Sequence, residues 1–125
     1  MEKTINKLEI NKYLADIKNK VIPEIFPEKI YLFGSYATNN YDSESDIDLF
    51  FVVNNNGSLR KTQRKISSLL KDRLIPIDII VYSQEKMESH KNIIGTLPYR
   101  IKQEGELIYE KERSKRDQQK MDKKS

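Results

Sequence analysis

Ile30-Tyr-Leu-Phe-Gly-Ser-Tyr-Ala37, followed after seven residues by Ser45-Asp-Ile-Asp-Leu-Phe-Phe-Val-Val53, carries most of what the chain says about its fold. The run from Ile30 to Phe33 is short, apolar and stopped by Gly34, which suits a buried strand. Gly34 to Asp42 is turn-like, with room for a short helix. From Ser45 to Val53 the pattern alternates. Ile47, Leu49, Phe51 and Val53 face one way, and Asp46 and Asp48 share the other face. Asn54-Asn-Asn-Gly57 then reads as a loop.

Upstream, Ile5, Leu8, Tyr13, Leu14, Ile17 and Val21 recur at roughly helical spacing, with Thr4 or Asn6 to cap the start and Pro23 and Pro27 to end the helix. Downstream, Ser58 caps a helix to about Leu74 whose apolar stripe is Ile66, Leu69, Leu70 and Leu74. Pro76 opens a strongly apolar strand, Ile77 to Tyr82. Ser83 starts a helix through about Lys91, Thr96 to Gln103 forms a last helix closed by Gly105, and Glu106 to Tyr109 suits a short edge strand. No segment repeats. This mixture of strands and helices predicts an α/β (α+β) fold, a small mixed β-sheet flanked by helices.

A chain of 125 residues and 14.8 kDa is one domain by size. Ile, Leu, Val and Phe supply 34 of the 125 residues, about 27%, above the roughly 20% below which chains stay disordered. No apolar run approaches the ~18 residues of a membrane span, and the first residues lack the apolar core of a signal peptide. Zero cysteines exclude disulfides and thiolate metal sites, and one His excludes a His-rich zinc site. A cytoplasmic protein is expected. The net charge of +4 and pI near 9.2 suggest nucleic acid until the charges are located. Residues 110–125 hold seven Lys or Arg against four Asp or Glu, which leaves 16 against 15 in residues 1–109. The division is therefore a near-neutral domain, 1–109, and a charged tail, 110–125, that is frayed or a solvated helical extension.

Three acids stand where acids are expensive. Asp46 and Asp48 share a strand face, and Asp78 interrupts Pro76-Ile-Asp-Ile-Ile-Val-Tyr82. Like charges there repel and resist burial unless a cation offsets them. Oxygen ligands without nearby His or Cys suit Mg²⁺, with Mn²⁺ as the alternative. Three carboxylates suffice for two ions roughly 3.5–4 Å apart, the arrangement of phosphoryl and nucleotidyl transfer. Gly34 lets backbone N–H groups approach a phosphate, and the Ser35 hydroxyl adds a donor. A helix starting just after them would aim its N-terminus at the same anion. Anion cradle and metal ligands together are what a metal-bound nucleoside triphosphate requires.

Gly34-Ser35, ten residues, then Asp46-Ile47-Asp48 resembles the Gly-Ser-x10-Asp-x-Asp signature of the polymerase-β-like nucleotidyltransferases, with Asp78 where that superfamily has its third carboxylate. The blocks Leu32 to Ala37 and Ser45 to Phe50 most resemble its minimal members. The resemblance spans about residues 25–110. It implies the nucleotidyltransferase fold. It also implies that Asp46 and Asp48 ligate both ions, that Asp78 binds the catalytic ion and helps deprotonate the attacking hydroxyl, and that Gly34 and Ser35 hold the triphosphate. The implied reaction is attack of an acceptor hydroxyl on the α-phosphorus of ATP with release of pyrophosphate. Similar members often read Gly-Ser-x-Ala-Arg-Gly. Here Thr38 and Asn39 replace the Arg and second Gly, which removes one phosphate or structural contact, while Asn tolerates the left-handed turn. Larger relatives carry a helical acceptor-binding domain for which this chain has no room. Minimal members are commonly paired with a HEPN-domain toxin and, as antitoxins, transfer AMP to one of its tyrosines. That pairing is the expected partner here.

The other acceptors are a small hydroxylated molecule or an RNA end. Outside enzymes, the alternative is a non-catalytic module that neutralises a toxin by docking, supported by the Thr38-Asn39 departure. Plain nucleic-acid binding rests on the pI and lacks interleaved aromatics or a motif. His90 reads as a surface residue at a helix end. Arg60, Lys61, Arg64 and Lys65 form a basic cluster that is either a solvated face or a contact for an acidic partner, a triphosphate or RNA. Asp42, Ser43 and Glu44 suit loop solvation, Ser45 the support of the site. Tyr36 belongs to the core or stacks on a base.

Overall fold

The computed structural model describes residues 7–38, 40–41, 45–54, 57–72 and 75–112. The expectations for Thr4, Ile5, Asn6, Asn39, the loop at 42–44, Leu74 and the tail beyond residue 112 lie outside these. The elements run α1 (Lys7–Ile25), β1 (Lys29–Phe33), one 3-10 turn (Gly34–Tyr36), β2 (Ile47–Val53), α2 (Leu59–Leu69), β3 (Ile77–Ser83), α3 (Gln84–His90), α4 (Leu97–Glu104) and β4 (Glu106–Glu110). The strands form one sheet in the order β3-β2-β1-β4. β2 and β3 are parallel, joined by the α2 crossover, and β1 is antiparallel to both β2 and β4. This is the expected mixed sheet with helices.

Alternation along β2 places Ile47, Leu49, Phe51 and Val53 on one face, under α1 and α2. Ile10, Leu14, Ile17 and Val21 of α1 and Ile66 of α2 complete that layer, all within 5% exposure. The opposite face is covered as well. Phe50 and Val52 are buried there with Met87 of α3 and Ile101 of α4. Phe50 meets Tyr31 edge-on at 6.2 Å and Tyr82 at 5.0 Å between ring centroids. β2 is therefore buried on both faces over its second half, and only its start is left open.

The helix starts follow their caps. Ser58, Ser83 and Thr96 each accept a hydrogen bond from the backbone N–H three residues on, satisfying a donor the first turn leaves orphaned. Two boundaries differ from expectation. α1 continues through Pro23 to Ile25. In the last turn Pro23 forfeits one hydrogen bond only, and the chain stops where Phe26 turns left-handed, φ 53°, its N–H donating to Ile22 O at 3.0 Å. α2 stops at Leu69, because Leu70 leaves helical geometry (φ −109°, ψ 22°) after the weak helix formers Ser67 and Ser68. Both outer strands present backbone to solvent and are partly closed by side chains: Lys18 Nζ donates to Ile108 O at 3.2 Å and Gln63 Nε2 to Ile79 O at 3.0 Å.

Candidate active site

Even-numbered residues of β2 and β3 face the α3–α4 side, and parallel pairing sets Asp48 beside Asp78 in register. The helical layer covers Phe50 and Val52 and stops short of this pair. Asp48 is half-buried, while Asp78 and Asp46 are exposed. Asp46 precedes β2 by one residue instead of lying within it. Across the other edge of β2, Asp48 pairs with Phe33, so the chain leaving β1 enters the site at Gly34.

Gly34 has φ +76°, and a Cβ there would run into Asp48 Oδ2 and stand 3.1 Å from its Cγ. Only glycine meets both conditions, since other residues resist positive φ and carry the Cβ. Gly34 to Tyr36 form the 3-10 turn, whose opening N–H groups have no partner within it. The turn does not run on into the expected α-helix among the described residues, so the expected anion cradle has this single turn to draw on. Ser35 lies inside it, and the N-cap position falls to Phe33. Thr38 Oγ1 lies 3.3 Å from Gly34 O and 3.4 Å from Ser35 O, and Asn40 N–H donates to Ser35 O at 2.9 Å. Thr38 thus knits the turn where the family pattern has Arg. Beneath it, Tyr36 is buried at 4% exposure and stacks on Tyr41 at 4.4 Å. It is a core residue that supports the turn.

Two negative charges converge on the Asp48 carboxyl. Burial first, then the charges of Asp78 and Asp46, and last the closeness of the Asp78 carboxyl, push Asp48 from 3.8 up to about 6. Among the described residues no three His, Cys, Asp or Glu side chains gather into a ready metal cage. The expected trio is present as a close pair, Asp48 with Asp78, on which Asp46 acts through its charge. Strand register accounts for the pair, and the start of β2 at Ile47 leaves Asp46 outside it. The donor set fits a hard divalent ion: it is all oxygen, its crowded negative charge is what a cation would offset, and it abuts a glycine that leaves room beside the carboxylate.

The profile of the polymerase β nucleotidyltransferase family matches residues 9–114, and the chain belongs to that family. It is a nucleotidyltransferase, of a class that generally uses a nucleoside triphosphate and a divalent metal. A Methanocaldococcus jannaschii protein, provisionally named a protein adenylyltransferase, is 34% identical over 77 residues, which is 59% of this chain and 76% of that one. A provisionally assigned nucleotidyltransferase of Sulfolobus solfataricus shares the fold, with a TM-score of 0.58, 21% identity and 86% of each chain covered. A looser likeness is a toxin–antitoxin complex with AMP-PNP, at a TM-score of 0.49 and 18% identity over 81% of this chain and 73% of that one.

Among the described residues no helix is long and apolar enough to cross a membrane. His90 is at the end of α3, where Nδ1 meets Ser89 Oγ at 2.8 Å, away from the carboxylates. The sequence reading missed Thr38 as a brace for the turn. Its signal was a hydroxyl residue four positions after Gly34, within reach of the carbonyls it bonds.

Proposed function

We propose that the protein transfers AMP from ATP to a hydroxyl on a partner protein, with Mg²⁺ held by Asp46, Asp48 and Asp78 and the triphosphate held by Gly34 and Ser35. The observation that carries this reading is the paired Asp48 and Asp78 carboxyls beside the positive-φ Gly34. When bound, the divalent ion supplies charge neutralisation and a lowered acceptor-hydroxyl pKa. The residues supply the rest. Gly34 and Ser35 offer N–H groups and a hydroxyl to phosphate oxygens. Asp48 and Asp46 would offer carboxylate oxygens to the ion, and Asp78 accepts the proton of the attacking hydroxyl. The acceptor oxygen then forms a bond to the α-phosphorus as the bond to pyrophosphate breaks.

A protein acceptor is supported by the name of the Methanocaldococcus jannaschii relative. A tyrosine of a HEPN-domain toxin is the acceptor suggested by the Leu32–Ala37 and Ser45–Phe50 blocks. The test uses ATP labelled at either the α- or the γ-phosphorus, Mg²⁺ and the protein encoded beside this one. Label from the α-position only, lost with Asp78→Asn, is expected. Transfer of γ-label, or α-label that survives Asp78→Asn, contradicts it.

A further inference from the structure

At the end of the sheet away from the carboxylates, the end of α1, the end of β2 and α2 enclose a cleft lined by Ile25, Phe26, Val53, Lys61 and Lys65. Phe26 is its unusual member. It occupies the left-handed position after a helix that normally falls to glycine or asparagine, at φ 53°, and is 67% exposed. A bulky side chain held at that strained angle without burial in return points to a role outside the chain's own packing. The adjoining helix is charged in one sense only. α2, Leu-Arg-Lys-Thr-Gln-Arg-Lys-Ile-Ser-Ser-Leu, has no acid, and its Arg60, Lys61, Arg64 and Lys65 are all exposed. The four-residue spacing sets them in two adjacent rows, Lys61 with Lys65 on the cleft and Arg60 with Arg64 on the neighbouring helix face. Among the described residues Lys65 alone of the four has an ion pair, a loose one of 4.0 Å to Glu24.

From this we infer that the α1–α2 cleft docks an acidic segment of a partner protein, which places an apolar side chain against Phe26, Ile25 and Val53 while its carboxylates meet the α2 cations. Apolar walls call for an apolar anchor, and α2 cations that Glu24 offsets only at Lys65 call for acids around it. Nucleic acid fits less well, because a phosphate backbone has no aliphatic anchor for the apolar wall of Ile25, Phe26 and Val53, and the surrounding body is nearly neutral. The surface is separate from the reaction centre. Val53 lies five residues along β2 from Asp48, about 16 Å at 3.3 Å per residue. A partner held there leaves the carboxylates open.

The test is fluorescence anisotropy on the full chain, using a labelled peptide of alternating Glu and Leu. Poly-glutamate and oligo-uridylate of equal charge serve as comparators. Expected are salt-sensitive binding of the Glu/Leu peptide over both comparators, about tenfold loss in Lys61→Glu/Lys65→Glu, and weakened binding by Phe26→Gly. Because glycine is at ease at positive φ, Phe26→Gly should also raise the melting temperature, so that its weaker binding is not a folding defect. Equal binding of poly-glutamate, tighter binding of oligo-uridylate, indifference to these substitutions, or a destabilised Phe26→Gly protein would each overturn the inference. Asp48→Asn should bind the peptide as the wild type does, so lost transfer with retained docking separates this proposal from the catalytic one.

Discussion

Asp48 concentrates the chemistry of the molecule in one ionisation. Its carboxyl titrates near 6 in the folded protein against 3.8 ordinarily, so between those values the native state holds a proton that the unfolded state has released. Stability linked to Asp48 is thus fully present below about pH 4 and is lost as pH rises to about 6. In EDTA the urea midpoint should carry this fall, Asp48→Asn should remove it, and Mg²⁺ should restore stability above pH 6, where the carboxylate is free to bind it. An identical pH slope in Asp48→Asn would show that the ionisation lies elsewhere. Gly34 answers to a different measurement. Gly34→Ala brings a positive-φ penalty of about 1–2 kcal/mol together with a clash against Asp48. A melting temperature unchanged from wild type would contradict the close approach.

Among the elements, the two-sided burial of β2 makes the strongest claim. Phe50 is fully buried between the sheet and the α3–α4 layer, so Phe50→Ala should lower unfolding free energy by about 3–5 kcal/mol in urea titration. A loss below about 1 kcal/mol would mean that the layer does not pack as described. Ser58→Ala, which removes the cap of α2, should lose about 1 kcal/mol. Caps, strands and the α1–α2 face were legible because serine and threonine at helix starts and period-two alternation follow from local geometry. The second face was not read. Leu49 to Val53 is a continuous apolar run, the sign of a strand buried on both sides, yet its alternation around Asp46 and Asp48 drew attention first. Pro23 misled in the same local way, since a proline in a final turn removes one bond and leaves the helix standing.

At the scale of the whole molecule, charge is divided by place. Carboxylates gather at the start of β2 and β3, the α2 cations stand at the other end, and the near-neutral total for residues 1–109 hides both. The sequence placed Asp46, Asp48, Asp78, Gly34 and Ser35 together through spacing and strand pairing. It could not reveal that Asp48 and Asp78 pair while Asp46 stands at the strand entrance, because that depends on the parallel register of β2 and β3 and on where β2 begins. The central claim is that this pair and the Gly34 turn bind a metal-loaded triphosphate. Calorimetric titration of ATP into the protein, in Mg²⁺ and in EDTA, tests it most directly. The account predicts binding with Mg²⁺ that is lost in EDTA and in Asp48→Asn, whereas equal ATP binding in all three, or none with Mg²⁺, would contradict it.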